Sequence, residues 1–360
     1  MNKIHRYKII GLENQNITST HEAVEASGLD WRVRAGALKG ECWDNVNQEL
    51  KWEPLDGHKC ISRVDTCKPL GDSIVGKGFK LVQNDEAFKC FDDILSNQNA
   101  TFTSGGWFHN GGSVFLQARL PQHIQLANGD GLSRYLMISQ GHTGQQALTL
   151  RFTHIRPICS NTLYAALRDT RYSFSMKHTS SIHEKIDLAV QYMKKGLQHL
   201  GIAEQKYSVM SKFKVTDKET MNFLKLSYDR PLDQDLKKWR NWSSLEPVYL
   251  APKGNSMAEG TIWNAFNMVT EHEDHHSRVN KPQGQTANLS PHEIDQTRQV
   301  RSMFGEGVVN RKLNAFKLAD EVISGRFDLN TGTSREKPVN WSAMVAGLST
   351  ATVATQNLLF

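Results

Sequence analysis

The sequence predicts an α+β fold, with an antiparallel sheet packed on helices and a helical C-terminal half. Two observations carry this. Runs between residues 114 and 176 alternate apolar and polar side chains at period two. Beyond about residue 180 the apolar spacing changes to three and four, as one face of a helix requires.

Taken in order, THEAVEASGLDW predicts a short helix that Thr20 caps and Gly28 ends. KCISRVDT and SIVGKGFKLV predict two strands joined by the turn residues KPLGD. NDEAFKCFDDIL predicts an amphipathic helix with Asn84 as N-cap and Phe88, Phe91 and Leu95 on one face. GGWFHNGG is expected to be a glycine-rich loop around Trp107. Val114, Leu116, Ala118 and Leu120 then point to one side of a strand, with Gln117 and Arg119 on the other. Leu148, Leu150 and Phe152 are expected to face the core, with Thr149, Arg151 and Thr153 facing out. DG at 130–131 and GHTG at 141–144 supply hairpin-type connections. Pro157 ends the third strand, and Ser160 or Asn161 is expected to cap a helix, which makes a strand-strand-strand-helix core. YSFSMKHT predicts a further strand. Ile186, Ala189, Val190 and Met193 share a face of a helix that Gly201 is expected to stop. KETMNFLKLSYD, LDQDLKKWRNW, GTIWNAFNMVTEHEDHH and NRKLNAFKLADEVISG predict further helices, and residues 275–300 a polar loop. This divides the chain into a sheet-rich part at 1–180 and a helical part at 181–360, within one domain or two.

Composition narrows the function classes. The 360 residues are 39% hydrophobic and 22% charged, a globular balance. No apolar run reaches the length of a membrane span, and the N-terminus lacks a signal-peptide pattern. The five cysteines form no CxxC pair, which favours a reducing, cytoplasmic setting over a disulfide framework. The net charge is +6, and residues 100–180 hold seven basic side chains against Asp130 and Asp169 alone. A basic, pleated surface suits a polyanion. The candidate contacts are Arg119, Arg134, Arg151, Arg156, Arg168, Arg171 and Lys177, with Trp107 as a stacking platform. The plain alternative is a solvated sheet face over core aromatics.

Several strings add a resemblance: GKGFKLVQNDEAF, GGSVFLQARLP, DGLSRYLMISQGHTGQQALTLRFTHIRPICSNTL, FSMKHT, GTIWNAFNMVTEHEDHH and RSMFGEG. Together they resemble the phage- and plasmid-associated family called domain of unknown function 932. The resemblance covers roughly residues 20 to 325 and implies a mobile-element setting in replication, recombination or counter-defence. The strand-strand-strand-helix order is similar to that of single-strand annealing proteins, which implies a self-assembling partner of single-stranded DNA without a cofactor.

HEDHH is the sharpest catalytic string. His272, Glu273 and His276 satisfy H-E-x-x-H, a zinc-hydrolase spacing in which Glu273 polarises water. Glu293 is the candidate third ligand. A polar helix end is the plainer reading. Cys159 with His154 or His178 is a weaker nucleophile-base candidate, and GDSIVGKGFK lacks a phosphate-loop spacing. The classes left open are a single-strand binding protein, a metal-dependent hydrolase, and a protein that blocks a host factor.

Overall fold

The computed structural model describes residues 7–95, 99–126, 131–156, 161–163, 173–251, 259–279 and 289–335. The architecture is α+β with antiparallel sheets and a helical C-terminal half. The chain divides into two compact units. One comprises Met1–Ile124, Leu132–Pro157 and Ala166–Gly201; the other comprises Gln125–Gly131, Ile158–Ala165 and Ile202–Phe360.

The first unit holds β1 (Tyr7–Gly11), α1 (Thr20–Ala26), β2 (Val33–Asp44), β3 (Glu49–Arg63), β4 (Pro69–Gly76), α2 (Asn84–Phe88), α3 (Cys90–Leu95), β5 (Thr101–Phe108), β6 (Ser113–Gln125), β7 (Gly131–Gly141) and β8 (Leu148–Arg156). After β9 (Asn161–Leu163), which belongs to the second unit, come β10 (Ser173–Met176) and the start of α4 (Ile182–Met210). The main sheet runs β1-β5-β6-β7-β8-β10, and a smaller one runs β2-β3-β4. The expected core positions Val114, Leu116, Ala118, Leu148, Leu150 and Phe152 are fully buried, but Gln117, Thr149 and Thr153, expected to lie on the outward face, are buried too.

Several expectations are corrected. Ser19, not Thr20, caps α1 by accepting from the Glu22 N–H at 3.2 Å, while the Thr20 hydroxyl donates to Asp92 at 2.5 Å. The GGWF string is strand rather than loop. Gly105 and Gly106 sit in β5 because a Cβ on Gly106 would lie 2.0 Å from the Lys8 carbonyl oxygen of β1. Trp107 is therefore a half-buried strand residue opposite Lys8 and Val114, not a loop tip. Asn161–Leu163 form a short strand instead of a helix start. The flanking residues 157–160 and 164–172 lie outside the described residues. Gly201 does not stop α4, whose hydrogen-bonded backbone continues to Met210.

Asn84 is the largest departure in this unit. It does not cap α2, because its side chain is turned inward as a polar hub. Its Nδ2 donates to the Leu29 and Trp31 carbonyls at 2.9 and 3.3 Å. Its Oδ1 accepts from Gln140 Nε2 at 3.2 Å and lies 2.9 Å from His142 Nε2. His142 is fully buried, so its Nε2–H donates to Asn84 and its Nδ1 has no hydrogen-bond partner. Burial pushes this imidazole down to about 3, with His178 adding to the effect. The unfolded chain then binds a proton near pH 6.5 that the folded chain refuses. Stability from this group is complete above that value and is lost as pH falls towards 3. Urea unfolding should show wild type losing about 3 kcal/mol between pH 6.5 and pH 4 through this group. His142→Gln should lack that component, and parallel pH profiles for the two proteins would count against it.

The second unit contains the end of α4, then α5 (Asp217–Ser227), α6 (Trp242–Leu250), α7 (Ile262–Glu271), α8 (Pro291–Phe304) and α9 (Glu306–Ile323), with the short strands β11 (Phe327–Asp328) and β12 (Thr333–Ser334). α7 is buried on every side and packs against α5 and α9. LDQDLKKWRNW yields only a short 3-10 turn at Leu236–Lys238 before α6 begins. Part of the expected loop at 275–300 is α8, which starts at a capping box: Ser290 accepts from the Glu293 N–H at 3.3 Å, and Glu293 accepts from the Ser290 N–H at 2.8 Å. Among the described residues no helix is long and apolar enough to cross a membrane.

Candidate functional site

The second unit carries a polar cavity of about 420 Å³ lined by five arginines. Each comes from a different place in the chain. Arg230 follows α5, Arg240 precedes α6, Arg278 follows α7, Arg301 lies on α8 and Arg311 on α9. Two carboxylates, Asp229 and Glu273, line the same space with Tyr228, Trp239 and His272.

Local structure explains the placement. A capping box between Thr216 and Glu219 sets the start of α5. The helix ends at Ser227, and Asp229 takes a left-handed φ of 54° that a short polar side chain tolerates. This reversal lets the Arg230 N–H donate to the Lys225 carbonyl at 2.8 Å and Arg230 Nε to the Tyr228 carbonyl at 3.1 Å. The Tyr228 and Trp239 rings lie 4.9 Å apart. Arg311 sits over the Tyr228 ring at 5.5 Å and Arg230 over the Trp239 ring at 5.7 Å. Two cations thus flank an aromatic pair, which holds the guanidinium planes in fixed orientations.

The HEDHH string forms the turn that follows α7. His272–His276 is a π-helix, in which the Ser277 N–H donates five residues back to the His272 carbonyl at 2.6 Å. Such turns insert an extra residue and re-aim side chains, often at functional sites. His272 is buried, with the Tyr228 hydroxyl 2.7 Å from Nδ1 and the Ser244 hydroxyl 2.9 Å from Nε2. Glu273 Oε1 lies 3.3 Å from His272 Nδ1, and Arg311 Nη1 donates to Glu273 Oε2 at 2.9 Å. Burial pushes the Glu273 carboxyl up, but the His272 hydrogen bond and the Arg311 charge outweigh it and hold the group below the ordinary carboxylate value. Burial, and next the Glu273 charge, push the Tyr228 phenol well above its ordinary value. One residue on, Asp274 pairs with Lys312, and Ser302 donates to Asp274 at 2.5 Å and accepts from Lys312 at 2.8 Å. Adjacent residues of the π turn therefore grip adjacent residues of α9.

This arrangement engages the proposed zinc ligands with other partners. Both ring nitrogens of His272 face hydroxyl partners, His276 lies 3.6 Å from Glu271, and Glu293 is bound into its capping box. Among the described residues no three His, Cys, Asp or Glu side chains are placed to hold a metal ion.

The residues of the basic sheet are dispersed. Arg119 is exposed on β6, 3.8 Å from Glu13. Arg134 on β7 and Arg151 on β8 are half-buried, and Lys177 is exposed after β10. Arg156 ends β8, with its side chain outside the described residues, and Arg168 and Arg171 lie wholly outside them. Arg151 shares its face with Met137, Thr149 and Thr153, each less than a tenth exposed. The described residues of this stretch thus do not present one open basic groove. Alternation picks out apolar core positions in these strands, but it carries no information on whether the second face is covered.

Residues 72–302 match the family model described as Domain of unknown function (DUF932), which is more than half of the chain. The chain belongs to the DUF932 family. The matched span contains the aromatic pair, the π turn and four of the cavity's arginines; Arg311 and Lys312 lie beyond it. No curated protein and no solved structure matches this DUF932 chain.

Proposed function

We propose that this protein binds single-stranded nucleic acid, with a phosphate and its neighbouring base seated in the arginine-lined cavity. The observation that carries the reading is the convergence of five arginines, against two carboxylates, beside a Tyr–Trp pair in one concave space. Arginine forks match phosphate oxygens, and aromatic faces accept bases of any sequence. One carboxylate is already neutralised by Arg311, which leaves the remaining arginines in excess. The setting we propose is DNA handling by a phage or plasmid, in a reducing compartment and as a homo-oligomer, on the strength of the sequence resemblance and the cysteine pattern.

A salt series tests the reading. Affinity for a labelled single-stranded oligonucleotide should fall by at least about tenfold between 50 and 200 mM salt, as a few released counterions require. Arg119→Glu should change that affinity by no more than about threefold, because this exposed arginine is not part of the cavity lining. A salt-independent affinity would count against a phosphate site. A collapse of binding in Arg119→Glu would move the footprint to the sheet.

A further inference from the structure

His272 and Glu273 of the cavity lining stand in relay order with Ser244, a serine of α6 that adjoins His272. Ser244 Oγ is 2.9 Å from His272 Nε2, and His272 Nδ1 is 3.3 Å from Glu273 Oε1. Nucleophile, base and orienting carboxylate in hydrogen-bond sequence is the arrangement by which a hydroxyl is activated. We propose that Ser244, His272 and Glu273 act on the bound strand itself, with Ser244 as the nucleophile in phosphodiester transfer. This inference rests on the nucleic-acid reading of the cavity.

The hydrogen bonds allow two proton arrangements. The Ser244 hydroxyl has one proton and two acceptors, His272 Nε2 and the Asn241 carbonyl at 2.8 Å. The Tyr228 hydroxyl likewise stands between His272 Nδ1 and the Glu273 carboxylate. When Tyr228 donates to Nδ1, the imidazole carries its proton on Nε2 and Ser244 donates to Asn241. When Tyr228 donates to Glu273, the imidazole proton moves to Nδ1 and faces the tyrosine and glutamate oxygens. Nε2 is then a free lone pair aimed at the serine O–H. The second arrangement is the reactive one, and an ionised Glu273 favours it. Tyr228 is a positioning residue here, because it selects the tautomer.

The step balances without an added reagent. Ser244 Oγ forms a bond to phosphorus as His272 Nε2 takes its proton. The bond from phosphorus to the departing nucleoside oxygen breaks, and that oxygen takes the proton from His272. Glu273 stabilises the imidazolium between these events. Arginines of the cavity lining would stabilise the charge that gathers on the non-bridging oxygens, where fixed donors lower the barrier most. The phosphoseryl diester is then released by water or by the hydroxyl of another strand, through the same proton transfers in reverse. Ser244 is half-buried on the first turn of α6, three residues after cavity-lining Asn241.

The test uses the full chain in EDTA with an end-labelled single-stranded oligonucleotide. Denaturing gels read cleavage or transfer, and acid-quenched samples are digested and mapped by mass spectrometry. A phosphonate adduct after fluorophosphonate treatment gives a second readout on the wild-type chain. The expected result is a covalent adduct on the peptide holding Ser244, absent from Ser244→Ala. His272→Gln should slow product formation by at least about 100-fold. Tyr228→Phe should shift the pH profile of the rate. Wild type that binds the strand but forms no product and no adduct would overturn the relay and leave the binding reading standing. Loss of strand binding itself would remove both. Product formation by Ser244→Ala at the wild-type rate would overturn the assignment of the nucleophile.

Discussion

Lys312→Met is expected to lower the free energy of unfolding by about 3–5 kcal/mol, the cost of leaving one partner of a buried ion pair alone. Lys312 is 1% exposed and Asp274 is 5% exposed. The ammonium donates to both Asp274 and Ser302, so methionine would strand a carboxylate and weaken the hydroxyl that supports it. Methionine keeps the length of the side chain, which limits the cavity contribution. The double variant Lys312→Met/Asp274→Leu should recover a large part of the loss, because the stranded charge is then gone. A coupling energy near zero in this cycle, read by urea unfolding, would remove the pair from the account of stability. The pH dependence has a definite sign. Burial pushes the Lys312 ammonium down from its ordinary 10.5, with Asp274 opposing that shift. The unfolded chain therefore holds more protons between the lowered value and 10.5, and wild-type stability gains a component as pH rises through that window. That component is complete above 10.5 and is lost as pH falls through the folded-state value. Lys312→Met should lack it.

The same pair shows what a sequence can and cannot disclose. Asp274 belongs to a string that stands out by composition, but its partner lies on another helix, and nothing local in NRKLNAFKLADEVISG marks Lys312 as buried. The helix itself was readable, because apolar spacing depends on a face and not on a partner. The core strands were readable for the corresponding reason. Alternation marks the apolar residues of β6 and β8 that are buried, Val114 to Leu120 and Leu148 to Phe152, but not the burial of Gln117, Thr149 and Thr153 beside them. The long β2–β3 hairpin was not readable. It pairs Trp43 with Leu50 and Glu41 with Trp52, and both tryptophans remain more than half exposed. A ribbon that buries neither face leaves no core-facing alternation to find. Asn84 was misread because a helix N-cap and an inward polar hub use the same residue type at the same position. The decision came from Gln140 and His142, distant in sequence. The cavity was half legible. HEDHH pointed to His272 and Glu273, yet its zinc chemistry presumed free ring nitrogens, and Tyr228 and Ser244 occupy them. The arginines gave no signal, since each stands singly in its own element and only the packing of α5, α7, α8 and α9 gathers them.

Reversing two of those arginines is the second decisive change. Arg240→Glu/Arg278→Glu should weaken single-strand binding by at least about 100-fold at 100 mM salt and flatten the salt dependence by roughly two released counterions. Both side chains are exposed at the cavity wall. Among the described residues the Arg278 guanidinium donates to the Ser243 hydroxyl at 3.0 Å, and both arginines are exposed, so neither change strands a buried charge. The unfolding midpoint should consequently stay close to wild type, within about 0.5 kcal/mol. Arg311 is unsuitable for this purpose, because its removal would leave Glu273 buried at 1% exposure without its cation. The contrast between the pairs separates two uses of one cluster. Arg230 and Arg311 are held against the aromatic pair and shape the wall, whereas Arg240 and Arg278 face outward with donors to offer. If the double reversal binds the oligonucleotide as wild type does, the cavity's charge is structural and the phosphate contacts lie elsewhere. If binding falls while the fold is unchanged, the arginines recognise the strand directly. The residual affinity then measures what Arg230, Arg301, Arg311 and the half-buried Trp239 contribute together.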